Sequence, residues 1–152
     1  MKIVFTGYVN VEGFDDPYNW LRRIKGYTGI PEALSKYHTV ISIEQINYSG
    51  KLIQNGVEYH FLNFKKKRDH FPLKLHRYIK KMDPDIVIVH SFHFPLQVAL
   101  LKSYLKKHTK IIVHNHAEKP FAGTKKYAQQ IADRCIDAYI FTSAEMGEEW
   151  VK

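Results

Sequence analysis

Two stretches decide the fold of this chain, Asp85-Ile86-Val87-Ile88-Val89-His90 and Lys110-Ile111-Ile112-Val113-His114-Asn115-His116. Each contains a short, continuous run of β-branched residues, which is typical of a strand buried on both faces in a parallel sheet covered by helices. Each run leads directly into histidine. Because ligands of open α/β sheets bind outside the carboxyl ends of the strands, these histidines are the first candidates for a functional site.

The rest of the chain predicts strands and helices in alternation. Asp16-Pro17 is typical of a helix start, Gly29 and Pro31 of helix breakers, and Asn55-Gly56 of a hairpin turn. We therefore predict an α/β fold, a three-layer Rossmann-like domain with a mainly parallel sheet and helices on both faces. The predicted strands are 2–6, 38–43, 51–54, 57–62, 85–89, 110–113 and 138–141, and the predicted helices include 31–36 and 124–135 and others that begin near residues 17, 71, 95 and 144.

Length and composition are those of one folded domain. The chain has 152 residues, of which 45% are hydrophobic and 25% charged, and we treat residues 1–152 as a single domain. No apolar run approaches the roughly 20 residues of a membrane helix, and Met1–Thr6 is too short for a signal peptide. The single cysteine, Cys135, cannot form an internal disulfide, which agrees with a cytoplasmic location.

The charge balance is strongly basic. The net charge of +8 and the pI near 9.5 favour anionic partners, such as nucleic acid, phospholipid headgroups or phosphorylated small molecules. The only dense basic run is Lys65-Lys66-Lys67-Arg68, and such a run is usually a solvated loop. A nucleic-acid-binding module needs a concentrated basic face or a known motif, so we expect no nucleic-acid partner.

Four histidines form the candidate cluster: His90, His93, His114 and His116. Residues two apart on an extended segment share a face, so His114 and His116 are expected to point together, and neighbouring strands lie only about 4.8 Å apart. Beyond His93 and Glu118 no further metal ligand is apparent, so we expect no metal. Neutral imidazoles suit hydrogen bonding to a substrate. The alternative is that one or two of them, His114 in particular, are ordinary polar residues at strand ends.

The loop after the first strand carries no phosphate-binding glycine motif. Gly7 and Gly13 flank it without the spacing of a dinucleotide site or a P-loop, which disfavours NAD binding and NTP hydrolysis. Two interpretations stay open for this loop. It is either a plain connection or a segment that meets an anion before a helix N-terminus.

Three segments together resemble the N-terminal half of GT-B glycosyltransferases of the group 1 (family 4) type. Asp85–His90 is similar to the family's D-V-V-H-V-H strand, with His90 at its final histidine. Ile111–His116 is similar to the next strand of the family, whose closing histidine is matched by His116. Ala132–Met146 is similar to the family's A-D-x-I-I-x-x-S-E-x-M segment. The three follow in the family's order, and the likeness covers essentially the whole chain.

The resemblance implies the acceptor-binding half of a nucleotide-sugar-dependent glycosyltransferase in polysaccharide or glycolipid biosynthesis. It implies a catalytic role for His116 beside the transferring sugar, and substrate binding by Gly13, His90, Asn115 and Ser143, with no metal and no other cofactor. The implied partners are a nucleotide-sugar donor and a sugar or lipid-linked acceptor. The implied location is cytoplasmic, with peripheral contact at the inner face of a membrane.

Two departures from the family pattern shape these expectations. The loop Val11–Asp16 lacks the family's Gly-Gly pair at the place where it would contact the donor. The chain stops at Trp150-Val151-Lys152, inside a predicted helix and without a C-cap signal, so we expect a truncated piece whose C-terminal donor-binding domain is absent and which is inactive alone. The alternative function is a stand-alone α/β ligand-binding or regulatory domain without catalysis.

Overall fold

A seven-stranded sheet forms the middle layer of the domain. The structure is a computed structural model that describes residues 1–64 and 72–151. The basic run Lys65–Arg68 lies outside these residues. The strands are β1 (Lys2–Thr6), β2 (Thr39–Gln45), β3 (Gly50–Gln54), β4 (Val57–Leu62), β5 (Ile86–His90), β6 (Lys110–Asn115) and β7 (Ala138–Phe141). The helices are α1 (Pro17–Arg23), α2 (Gly29–Ser35), α3 (Leu73–Met82), α4 (Pro95–Tyr104), α5 (Lys125–Asp133) and α6 (Ala144–Val151).

The strand order is β3-β4-β2-β1-β5-β6-β7, and every neighbouring pair is parallel except β3 with β4. From β1 the chain first builds outward through β2 and β4, and it then crosses to the other side of β1 to lay down β5, β6 and β7. This reversal makes the carboxyl ends of β1 and β5 a topological switch point, where open α/β sheets bind their ligands.

Each face of the sheet has its own hydrophobic core, which confirms the predicted three-layer α/β fold. Val4 and Val87 point to one face, where they pack with buried residues of α3, α4 and α5. Phe5 and Ile88 point to the opposite face, where they pack with Trp20 of α1. Because successive strand residues alternate between faces, continuous apolar strands supply both cores at once.

Local signals in the sequence explain where two elements begin and turn. Asp16 caps α1, since its Oδ1 accepts a hydrogen bond from the backbone N–H of Tyr18 at 2.9 Å, and Pro17 occupies the first helical position. Asn55 and Gly56 have φ angles of 50° and 81°, as a type I′ hairpin turn requires, and they join β3 to β4 in antiparallel pairing. Both features confirm the predictions from sequence.

Several boundaries differ from the prediction. Helix α2 begins at Gly29 rather than near Pro31. A proline is tolerated in the first turn of a helix, because a backbone N–H at that place would have no intrahelical partner. Strand β2 continues to Gln45 because its last two residues pair with β4. Strand β6 continues to Asn115 because it pairs with both β5 and β7. The bounds of β5 and α5 shift by one or two residues.

No helix in residues 1–64 and 72–151 combines the length and the apolar character needed to cross a membrane.

Helix α3 carries a buried histidine, His76. The ring Nε2 of His76 lies 3.1 Å from the hydroxyl of Tyr8, and this hydroxyl donates to the carbonyl oxygen of Gln97 at 3.1 Å. Since the hydroxyl proton is used in that bond, Nε2–H of His76 is the donor to Tyr8. His76 is fully buried, and burial lowers its pKa to about 4. The imidazole is therefore neutral in the folded protein at neutral pH.

We predict that His76 makes the fold sensitive to acid. In the unfolded chain a histidine takes up a proton near pH 6.5, but in the folded protein His76 does so only near pH 4. The free energy of unfolding should therefore fall as the pH drops through this window, by roughly 3 kcal/mol from this group. Urea unfolding of the wild type and His76→Leu across the window measures the difference. The slope should be smaller in His76→Leu and unchanged in the control His108→Gln, which alters an exposed histidine. Equal slopes in all three proteins would contradict the prediction.

Candidate functional site

The histidine cluster forms where β5 and β6 end. These parallel strands pair in a register that sets His90 opposite His114, and His116 follows two residues later. The ring centroids of His114 and His116 lie 4.1 Å apart, which confirms that the two side chains point together. The ring of His90 lies 5.4 Å from that of His116, with an angle of 22° between the ring planes. The structure therefore brings three predicted histidines into one cluster.

A direct contact joins two of these rings. Nδ1 of His90 lies 3.1 Å from Nε2 of His116, so one N–H between them forms a hydrogen bond. Phe5 stacks on His90 at 5.5 Å, and Tyr27 meets His116 edge-on at 5.3 Å. These contacts hold both imidazoles at the switch point, between the end of β1 and the helices on that face.

A tight turn after β6 fixes the position of His116. Asn115 is fully buried, and its Oδ1 accepts hydrogen bonds of 3.0 Å from the backbone N–H groups of Ala117 and Glu118. Its Nδ2 donates to the carbonyl oxygen of Glu118 at 3.2 Å. The Glu118 carboxylate accepts from the backbone N–H of His116 at 2.8 Å. Ala117 has a φ of 103°, a strained conformation for alanine that the hydrogen bonds of the turn maintain.

Burial keeps the three imidazoles neutral. Burial, together with the nearby charges of His116 and His114, lowers the pKa of His90 to about 4. Burial also lowers the pKa of His114 and His116 below the ordinary histidine value. Burial alone would raise the pKa of Glu118, but hydrogen bonds from the His116 backbone and Ser91 outweigh it and lower that pKa. At neutral pH the cluster therefore consists of neutral rings beside one carboxylate.

A cavity of about 230 Å³ opens beside His90 and His116. It lies on the α1 and α2 side of the sheet, at the carboxyl ends of β1, β2 and β5. This is the position that the switch-point rule predicts for a ligand. Its lining combines apolar and aromatic walls with a few polar groups. The lining residues are Gly7, Val9, Trp20, Ile24, Tyr27, Thr28, Pro31, Ser42, Ile43, Glu44, Gln45, Tyr59, His90, Ser91 and His116.

Several polar residues of this cavity were missed in the sequence analysis, and Glu44 and Tyr59 are two of them. Glu44 lies in the part of β2 that the prediction cut off, and Tyr59 lies in β4. A signal for Glu44 exists in the sequence, because Ser42 and Glu44 are two apart on a strand that is otherwise apolar and so share a face. In the structure the Ser42 hydroxyl donates to the Glu44 carboxylate at 2.7 Å.

The other predicted site residues lie away from the cavity. Gly13 is exposed, with a φ of 83°, and it does not line the cavity. Ser143 is exposed at the start of α6, where its hydroxyl accepts from the backbone N–H of Met146 at 3.4 Å. Asn115 uses its amide within the turn. His93 is exposed, and its Nε2 lies 3.6 Å from the Glu118 carboxylate. The geometry thus selects His90 and His116 from the predicted set.

The cluster also has some of the properties of a metal site, although the sequence analysis expected none. One ring nitrogen from each of His90, His114 and His116 lies within 4.8 Å of the other two, and this is the group in the described part of the chain that could hold a metal ion. Neutral imidazoles are common ligands of zinc and other transition metals, and a tetrahedral zinc site would need a fourth ligand.

Fold and site together define an α/β domain with a cavity at the switch point of a mainly parallel sheet. The family model described as Glycosyltransferase Family 4 matches residues 38–152. The chain belongs to this family. No curated protein and no solved structure matches the chain. The matched range contains the three clustered histidines and Glu44.

We predict that Asn115 is a stability determinant of the site. Asn115→Ala removes the acceptor for two backbone N–H groups in a buried turn, so we expect a loss of about 2–3 kcal/mol in the free energy of unfolding. Chemical denaturation of Asn115→Ala against the wild type gives this value. The control Asn47→Ala changes an exposed asparagine and should stay within about 0.5 kcal/mol of the wild type. A similarly small effect of Asn115→Ala would refute the structural role of its amide.

We also predict that His116 suppresses protonation of His90. In an NMR pH titration the ring signals of His90 should move near pH 4. In His116→Gln the His90 titration should move to higher pH, because a positive charge on His116 is the second cause of the lowered pKa after burial. The control His93→Gln removes an exposed imidazole and should leave the His90 titration in place. A His90 midpoint near the ordinary 6.5 in the wild type would contradict the model of neutral rings.

Proposed function

We propose that the chain is the acceptor-binding half of a nucleotide-sugar-dependent glycosyltransferase of the GT-B type, acting in polysaccharide or glycolipid biosynthesis. The family match supports a glycosyltransferase-type domain. The observation that carries the proposal is the hydrogen-bonded His90–His116 pair beside a cavity at the carboxyl edge of the sheet. Both histidines lie in the matched range, and by the resemblance of the two strand segments they correspond to the family's strand-end histidines.

The proposed catalytic residue is His116. In glycosyl transfer, the acceptor hydroxyl oxygen forms a bond to the anomeric carbon while the bond from that carbon to the nucleotide diphosphate breaks. The diphosphate leaves with the electron pair of the broken bond, and the acceptor hydroxyl releases its proton. Neutral His116, held from behind by the turn at Asn115 and from the side by His90, donates or accepts a hydrogen bond at a sugar hydroxyl and orients it for this exchange. His90 is the second substrate-binding residue, because it lines the same cavity.

The remaining predicted residues have secondary places in this proposal. Asn115 acts by positioning His116 through the turn. Gly13 and Ser143 belong to segments that follow β1 and β7 at the same carboxyl edge of the sheet. We propose that they contact parts of the donor or acceptor that extend outside the cavity. The nucleotide-sugar donor would be held mostly by a second domain, as in the family that the sequence resembles.

The charge of the chain supports a proposed cellular setting. The net charge of +8 favours a lipid-phosphate acceptor and peripheral contact with the anionic inner face of a membrane, on the cytoplasmic side. This setting fits a lipid-linked acceptor, whose sugar would enter the cavity while its phosphate stays at the membrane surface.

The test is the effect of His116→Ala on glycosyl transfer by the full-length protein. We expect kcat to fall by about 100-fold or more, the size of effect seen when a hydrogen-bonding group that acts in the transition state is removed. Circular dichroism establishes that the variant folds. The control His93→Ala alters an exposed histidine outside the cavity and should keep nearly normal turnover. Near-normal turnover of folded His116→Ala would overturn the role of His116.

A further inference from the structure

The cavity lining lacks the positive charge that characterises the chain as a whole. The protein carries 23 Lys and Arg residues and a net charge of +8, yet no lysine or arginine is among the described residues that line the cavity. Glu44 is the acidic side chain in this lining, and the histidines there are neutral. A phosphate would find no countercharge in such a cavity. The lining instead favours a ligand group that is neutral or positive.

Glu44 is a half-buried carboxyl group without an ionic partner among residues 1–64 and 72–150. Each of its oxygens accepts one hydrogen bond, from the Ser42 hydroxyl at 2.7 Å and from the indole N–H of Trp20 at 2.9 Å. A carboxylate can accept about four hydrogen bonds, so both oxygens keep acceptor capacity. Burial raises the pKa of Glu44 above its ordinary value, and the hydrogen bonds from Ser42 and Trp20 offset only part of that rise. A cationic donor in the cavity would supply the countercharge that the protein does not.

Tyr59 provides a second polar group, one whose hydroxyl has no hydrogen-bond partner among the described residues. Its side chain is 1% exposed, and it lines the same cavity. Burial, with the negative charges of Glu32 and Glu44, raises the pKa of Tyr59 to about 12. Because an unsatisfied buried hydroxyl costs free energy, this atom points to a ligand that completes its hydrogen bonding. The neutral hydroxyl offers a lone pair to a donor.

The walls of the cavity suit a positively charged donor as well. Trp20 and Tyr27 line it, and the faces of such rings attract cations. The volume of about 230 Å³ is smaller than the roughly 300–1,000 Å³ of sites for drug-sized ligands, so the cavity accommodates one small ring or polar group. His90 and His116 close one side of it.

We propose that this cavity recognises a protonated primary amine on the sugar acceptor, with Glu44 as the ionic partner and the Tyr59 hydroxyl as a second hydrogen-bond acceptor. That the ligand is a sugar rests on the proposed function. The acceptor is then an amino sugar whose nitrogen is unacylated, and the amine enters the cavity beside His116.

The experiment is a binding comparison on the 152-residue chain, with methyl β-D-glucosaminide as the cationic probe and methyl β-D-glucoside as its neutral match. Glucose 6-phosphate is the anionic probe. The readout is the indole N–H signal of Trp20 in ¹⁵N-labelled protein, because that N–H bonds to Glu44. The indole of Trp150, which bonds to the Glu118 carbonyl, is the internal reference. Below the pKa of the amine, we expect the glucosaminide to bind at least about tenfold more tightly than the glucoside.

Variants distinguish recognition of the amine by Glu44 from a general attraction of the probe to the protein. Glu44→Gln should reduce the affinity for the glucosaminide to that for the glucoside, whereas Glu148→Gln, an exposed change in α6, should leave the preference intact. Tyr59→Phe gives a second test that keeps the carboxylate, and it should also weaken binding of the glucosaminide. The ¹⁵N spectrum reports whether each variant is folded.

Several outcomes would overturn the proposal: equal affinity for glucosaminide and glucoside, tighter binding of glucose 6-phosphate, a preference that survives in Glu44→Gln, or no binding of any probe. If the glucoside shifts the Trp20 signal as well as the glucosaminide does, the amine claim fails while the cavity remains an acceptor site. The role of His116 in transfer is tested separately by His116→Ala, so the two proposals fail independently.

Discussion

The parallel pairing of β5 with β6, in the register that sets His90 opposite His114, is the constraint on which the site depends. In that register both strands end at the same edge of the sheet. Strand pairing therefore brings together the polar residues that follow each buried apolar run, and the contacts between their side chains form as a consequence. The turn held by Asn115 adds the third ring by directing His116 back over the cavity. A slip of one residue would turn His90 to the opposite face.

Burial sets the chemistry of the site. The histidine rings are neutral because the sheet and its helices withhold water from them, and Glu44 lacks a countercharge because no lysine or arginine among the described residues lines the cavity. The basic charge of the chain therefore belongs to other parts of the molecule, where it can meet anionic partners. We infer that the basic surface attracts an anionic partner, and that the cavity binds an uncharged or cationic group of that partner.

Sequence patterns predicted the sheet and part of the histidine cluster at the candidate site. The runs before His90 and His114 predicted buried parallel strands, and the two-residue spacing of His114 and His116 predicted their common face. Glu44 and Tyr59 were not predicted, because their meeting depends on β2 lying between β1 and β4 and on how far β2 extends. Strand order and strand ends are set by pairing between distant segments, which a local pattern does not contain.

The central claim is that the cavity beside His90 and His116 is where the sugar acceptor binds. A crystal structure of the chain grown with methyl β-D-glucosaminide tests this claim most directly. We predict that the sugar occupies the cavity, with its nitrogen about 3 Å from a Glu44 oxygen and its ring against His116. A sugar ordered at another surface, with the cavity filled only by water, would contradict the account.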